Sequence, residues 1–119
     1  MLCLDTYALI EIYNGNTAFA SLLSEDFVVP DLLAVEFFGV LYKKYGISVA
    51  EEWRRKLLPW TRPVATDLLF KAVQYKADNA KQNLSFFDCV GYIFAIEHGM
   101  KFVTGDKEFK GKKGVLFLK

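Results

Sequence analysis

The most constraining feature of this sequence is its rhythm, in which short apolar runs alternate with longer stretches of helical spacing. Leu2-Cys3-Leu4, Phe27-Val28-Val29, Lys101-Phe102-Val103-Thr104 and Val115 to Leu118 are too short for helices and read as strands. After the first of them, Thr6 to Tyr13 places Ala8, Leu9 and Ile12 at helical intervals, with Asn14-Gly15 as a stop. Asn16 suits the N-cap of a short helix reaching Leu23. A third helix follows Pro30-Asp31, spans Leu32 to Tyr45 and closes at Gly46. Ser48-Val49-Ala50-Glu51 reads as a capping box for the next helix, which carries Val49, Trp53 and Leu57 on one face and ends at Pro59. Trp60 to Ala65 reads as an extended connector, because Pro63 weakens it as an interior strand. Thr66-Asp67 begins a helix with Leu68, Leu69, Ala72, Val73, Ala77 and Ala80 as its inward stripe. Asn83-Leu84-Ser85 breaks it, Phe86 to His98 forms the last long helix, and Asp106 to Lys110 allows one turn at most. This alternation predicts the α/β class: a three-layer α/β/α domain around a central, mainly parallel β-sheet.

A chain of 119 residues and 13.6 kDa fits a single domain spanning 1–119 and is long enough to bury a core without staples. Hydrophobic residues at 53% and charged residues at 24% exclude disorder. Asp31 and Glu36 interrupt the most apolar stretch, Phe27 to Tyr42, so no membrane span is expected. Met1-Leu2-Cys3-Leu4-Asp5 lacks the basic start and long apolar middle of a signal peptide. Cys3 and Cys89 sit in apolar runs and read as buried thiols of a reducing compartment, which predicts a cytoplasmic protein. The net charge of +1 conceals an asymmetry. Residues 1–36 hold six acids and no Lys or Arg, whereas Lys101 to Lys119 holds six lysines against Asp106 and Glu108. A local basic surface is therefore compatible with a neutral total.

Charges embedded among apolar residues point to the site, because a buried unpaired carboxylate is costly. Glu36 is the sharpest case. Its helical neighbours are Leu32, Leu33, Gly39 and Val40, and no basic partner lies nearby in the sequence. Asp88 sits in Phe86-Phe87-Asp88-Cys89-Val90, where Ser85-x-x-Asp88 also fits a capping box. Asp5 and Asp106 each follow a strand and precede a turn of helix, so each has a structural use as an N-cap. Taken together, however, Asp5 and Asp106 fall at the carboxyl ends of strands, where a parallel sheet forms its ligand crevice. Glu36 and Asp88 fall near the starts of helices on that same side. Four converging carboxylates repel unless a cation neutralises them, and hard oxygen donors without His or Cys select Mg²⁺ or Mn²⁺. Such a cluster suits phosphodiester hydrolysis, in which an ion lowers the pKa of the attacking water.

Other chemistries lack their residues. His98 is the single histidine and sits at a helix end beside Glu97, suited to complementing the helix dipole rather than to acting as a base. Zinc sites and Ser-His-Asp triads have no further histidine to draw on. Neither glycine-rich phosphate motif is present. Asp5-Thr6-Tyr7 lacks the second aspartate of an aspartyl-phosphate hydrolase.

Leu4-Asp5-Thr6, Val35-Glu36, Leu84-Ser85-Phe86-Phe87-Asp88 and the run from Phe102 to Phe109 through Thr104-Gly105-Asp106 resemble the four acidic blocks of PIN-domain nucleases. The resemblance covers nearly the whole chain in the right order, and its short form is most similar to VapC-type toxins of toxin–antitoxin pairs. It implies a metal-dependent endoribonuclease in which Asp5, Glu36, Asp88 and Asp106 bind Mg²⁺ or Mn²⁺ and position water. Thr104 matches the family's hydroxyl residue two before the last aspartate. Thr6 serves similarly or caps the first helix, and Glu108 is an auxiliary acid. The chain carries Phe86-Phe87 before Asp88 where relatives commonly have smaller residues. The resemblance also implies a homodimer and an antitoxin protein as partner, with RNA as substrate. Lys107, Lys110, Lys112 and Lys113 are the expected basic rim that meets RNA phosphates, with a plain solvated surface as the alternative. Two other readings stay open: a non-toxin nuclease of the same fold in RNA processing or decay, and a catalytically silent binding scaffold.

Overall fold

The computed structural model describes residues 1–119. In chain order it contains β1 (Leu2–Leu4), α1 (Thr6–Tyr13), α2 (Thr17–Ala20), β2 (Phe27–Pro30), α3 (Asp31–Tyr45), α4 (Ile47–Leu57), β3 (Thr61–Arg62), α5 (Thr66–Asp78), α6 (Phe86–Glu97), β4 (Lys101–Thr104) and β5 (Val115–Phe117). Short 3₁₀ turns cover Ser21–Ser24, Leu58–Trp60 and Lys107–Phe109. No helix is long and apolar enough to cross a membrane.

The five strands form one sheet in the order β3-β2-β1-β4-β5, and every pairing is parallel. Central β1 pairs with β2 through Cys3 and Val28, and with β4 through Cys3 and Phe102. All of β1 and β2 is buried, as is β4 beyond Lys101, which requires helices on both faces of the sheet. Strand order runs one way from β1 to β3 and then jumps back to β4. That reversal opens a crevice between the carboxyl ends of β1 and β4.

Helix α6 packs tightly onto the sheet at Gly91, which permits the approach. A Cβ at this position would meet Leu33 Cδ1 at 2.6 Å and Phe102 Cε1 at 2.7 Å. The Cys3 thiol reaches the Gly91 carbonyl at 3.8 Å. Phe102 and Phe109 pack edge-to-face beneath Tyr92, so the core continues from α6 to the turn that follows β4. Cys3 and Cys89 are both buried, unpaired thiols.

Three local expectations fail for identifiable reasons. The extended connector contains a strand, Thr61–Arg62, which pairs with Val29 and Pro30 of β2. It lies at the sheet edge and ends before Pro63, where a missing N–H costs no ladder bond. The Ser48 capping box does not form: α4 begins at Ile47, directly after Gly46, and has no side-chain cap. Gly46, at φ +90°, turns the chain from α3 into α4 within one residue, leaving Ser48 inside the helix. The stripe of α5 is narrower than its alanines suggested. Leu68 and Ala72 are buried, with Leu69 and Tyr75 half-buried, whereas Val73, Ala77 and Ala80 face solvent. This helix packs chiefly against α6 rather than onto the sheet, so only a thin apolar edge is covered.

Candidate active site

Asp5 leaves β1 in extended conformation and caps α1, accepting a bond from the Ala8 N–H at 2.8 Å. Only 3% of it is exposed. Burial pushes its carboxyl up to about 7, against bonds from Thr104 and Ala8, with the charges of Asp88 and Asp106 adding to the rise. Thr104, fully buried at the end of β4, joins the two sides of the crevice. Its hydroxyl donates to Asp5 and accepts the Asp106 N–H at 3.0 Å. Asp106 in turn caps the following turn, with Oδ1 accepting from Glu108 N at 3.0 Å. Between them, Gly105 has space for no side chain, because a Cβ would sit 2.3 Å from the Tyr7 ring and 2.5 Å from the Leu118 carbonyl.

Asp88 enters from α6. It forms a reciprocal capping box with Ser85, its Oδ2 accepting the Ser85 N–H at 2.9 Å while Ser85 Oγ accepts the Asp88 N–H at 3.0 Å. Burial raises its carboxyl pKa; the Ser85 bonds oppose the rise, Asp106 reinforces it, and Lys76 counters it. Glu36, half-buried on α3, accepts a bond from the Thr6 hydroxyl. Burial raises its pKa too, opposed by Thr6 and supported by Asp88. Asp88 is thus the electrostatic hub: it raises Asp5 and Glu36 and is raised by Asp106. Asp88 thereby links Asp5, Glu36 and Asp106, acids spread over the chain, at the crevice. Asp5, Asp88 and Asp106 each serve as a cap, as their sequence positions predict. Capping takes one oxygen of each, Oδ1 of Asp5, Oδ2 of Asp88 and Oδ1 of Asp106.

The donor set fits a hard divalent cation. It offers carboxylates and the Thr6 and Thr104 hydroxyls, while Cys3 is buried with its thiol pushed far up, mainly by desolvation. No three of the acids close around a single point as a finished cage.

The expected basic rim divides. Lys107 and Lys113 are exposed. Lys110 sits 5.6 Å from the Phe117 ring. Lys112 does not belong to the rim: half-buried, it donates to Tyr75 Oη and Gln82 Oε1, both at 2.8 Å. Glu108 likewise turns from the pit, its Oε1 accepting the Asn83 N–H at 3.1 Å. Thr6 does not cap α1, since Asp5 fills that role. The basic groups near the acids are instead Lys76, whose ammonium donates to the Leu84 carbonyl at 2.9 Å, and Lys119, which reaches the Gly105 carbonyl at 3.5 Å. Sequence spacing could not single out either, because each is brought in by a turn or a strand pairing. His98 caps the far end of α6, with Nδ1 2.8 Å from the Phe94 carbonyl, and takes no part in the pit.

No curated protein matches the sequence. Among solved structures, the fold is similar to Mycobacterium tuberculosis VapC20, a sarcin–ricin loop cleaving toxin (TM-score 0.82, 17% identity, 97% of each chain covered). It is also similar to a toxin–antitoxin complex from Klebsiella pneumoniae (TM-score 0.77, 18% identity, 98% of this chain and 96% of that one). A third likeness is to DNA-bound VapBC from Salmonella typhimurium (TM-score 0.71, 19% identity, 98% and 96% covered). At these identities the likeness is one of fold. The family model described as PIN domain matches residues 2–115, and the acidic crevice lies within that span. The chain belongs to the PIN-domain family.

Proposed function

We propose that this chain is a divalent-metal-dependent endoribonuclease and the toxin of a toxin–antitoxin pair. The observation that carries this reading is the gathering of the acids, in which Asp88 interacts with Asp5, Glu36 and Asp106 and burial raises the carboxyl pKa of Asp5, Glu36 and Asp88. Capping accounts for one oxygen each of Asp5, Asp88 and Asp106, but it does not account for the charge gathered beside them or for Glu36, which caps nothing. A hard cation compensates them, and Asp5, Glu36, Asp88 and Asp106 are the residues proposed to hold Mg²⁺ or Mn²⁺. When bound, the ion supplies Lewis acidity for water activation and neutralises charge on the phosphodiester. Thr104 bonds to the Asp5 carboxylate and Thr6 to that of Glu36, so each hydroxyl would orient a carboxylate toward the ion. Lys76, Lys107 and Lys119 offer charge to the RNA backbone.

The toxin–antitoxin character of the structural neighbours supports an antitoxin partner, the sarcin–ricin loop cleaving toxin among them supports RNA as substrate, and the homodimer rests on the family resemblance alone. The test uses purified protein freed of any co-purifying partner, incubated with single-stranded RNA in Mn²⁺, in Mg²⁺ and in EDTA. Cleavage only with metal, abolished in Asp5→Asn, is the expected result. Equal RNA turnover by wild type and Asp5→Asn would overturn the reading.

A further inference from the structure

Two loops flank the acidic pit, and a continuous set of hydrogen bonds ties them together. The first, from Asn79 to Ser85, delivers Asp88. The second, from Gly105 to Gly114, carries Asp106. Gln82 Nε2 donates to the Glu108 carbonyl at 3.2 Å, and the Asn83 N–H donates to Glu108 Oε1 at 3.1 Å. Lys112 Nζ closes the gap from the other side, donating to Gln82 Oε1 and to Tyr75 Oη, both at 2.8 Å. Tyr92, one turn beyond Asp88 on α6, donates to the Lys113 carbonyl at 2.8 Å.

The same bonds end on the acids. Asp88 accepts from Ser85, two residues after Asn83; Asn83 donates to Glu108; and the Glu108 N–H donates to Asp106. A relay of N–H-to-carboxylate bonds therefore runs from one acid of the pit to the other without passing through the pit. Lys112 and Gln82 brace it from behind. Neither side chain contributes to the core, and the brace costs two half-buried polar groups their freedom. Its one evident geometric effect is to fix how far the Asp88 loop stands from the Asp106 loop.

We infer that Lys112 and Gln82 are positioning residues, which set the Asp88–Asp106 separation so that both carboxylates can meet one hard divalent cation. The inference rests on the reading of these acids as the metal site. It gives Lys112 a role distinct from contacting substrate: it acts through Gln82 and Glu108, at a distance from the ion.

The test measures Mn²⁺ affinity of the full chain by calorimetry, together with the melting temperature in EDTA and in saturating Mn²⁺. Lys112→Met keeps the aliphatic stem and removes the donors; Gln82→Met breaks the same bridge at a less demanding position. Both are expected to weaken Mn²⁺ binding about tenfold and to shrink the metal-induced rise in melting temperature. Lys112→Arg should restore part of the affinity. A merely structural brace would lower the melting temperature in EDTA and leave Mn²⁺ affinity unchanged; that outcome overturns the inference while the metal site stands. If Lys112→Met does not fold, Gln82→Met decides by the same readout. Wild-type protein that binds no Mn²⁺ would overturn both the metal reading and the inference built on it.

Discussion

The Thr6 hydroxyl donates to the Glu36 carboxylate across 30 positions of sequence, joining the first residue of α1 to the middle of α3. It is the one protein hydrogen bond that this glutamate accepts, and it partly offsets the burial that raises the Glu36 pKa. Thr6→Val preserves shape and removes the donor. The expected result is a loss of about 1 kcal/mol in urea unfolding at neutral pH, discounted for the half-exposed acceptor, with the Glu36 pKa moving further up. Thr6→Ser should recover most of the loss.

Asp5 sets a pH dependence whose sign is fixed. Its carboxyl rises from 3.8 to about 7 on folding, so between those values the folded protein holds a proton that the unfolded chain has released. Stability of the metal-free protein should therefore fall as pH rises from about 4 to about 7, by on the order of 4 kcal/mol at most. Glu36 and Asp88, also raised, act in the same direction. Melting in EDTA across this window measures it. Asp5→Asn, which keeps an oxygen for the Ala8 cap, should flatten the slope and melt higher at neutral pH. A wild-type melting temperature that climbs across the window would contradict the account.

The capping role of Asp88 and its proposed metal role can be separated by substitution. Ser85→Ala removes one half of the capping box and should cost about 1 kcal/mol while retaining metal binding. Asp88→Asn keeps an acceptor for the Ser85 N–H but withdraws the charge. It should stay folded, melt no lower than wild type in EDTA, and lose at least a hundredfold in RNA cleavage with Mn²⁺. Unfolding of Asp88→Asn would make capping its dominant role.

Gly105→Ala tests the wall beside Asp106. The added methyl overlaps the Tyr7 ring and the Leu118 carbonyl, and the latter is backbone that cannot rotate aside. A cost of about 2–3 kcal/mol is expected, with the Asp106 loop displaced and cleavage reduced more than stability alone explains. Urea unfolding and activity of the same preparation supply the two numbers.

The strands, helices and acids were legible because each rests on local chemistry: apolar runs for β1, β2 and β4, capping residues at Asn16 and Ser85, and a glutamate stranded among Leu32, Leu33 and Val40. What stayed hidden was non-local. Lys112 looked like substrate-facing charge because its partners Tyr75 and Gln82 lie 37 and 30 positions away. Glu108 looked like a fifth acid because its bond to Asn83 crosses 25 positions. The edge strand at Thr61–Arg62 is two residues long and has no alternation to read. The Ser48 capping box matched a motif but lost to Gly46, whose positive φ starts the helix earlier. Nor does the sequence pattern separate capping from the proposed metal role at Asp5, Asp88 and Asp106, since one carboxylate has an oxygen for each.

The placement of β1 in the middle of the sheet has a consequence for synthesis. Its partner β4 begins at Lys101, so Asp5 emerges from the ribosome long before the strand that completes its surroundings. Translation must pass Thr104 and Asp106 before the two walls of the crevice can meet, and pairing over that separation is slow. On the proposed function, a polypeptide carrying Asp5, Glu36 and Asp88 but ending before Thr104 lacks one wall of the crevice and should cleave no RNA.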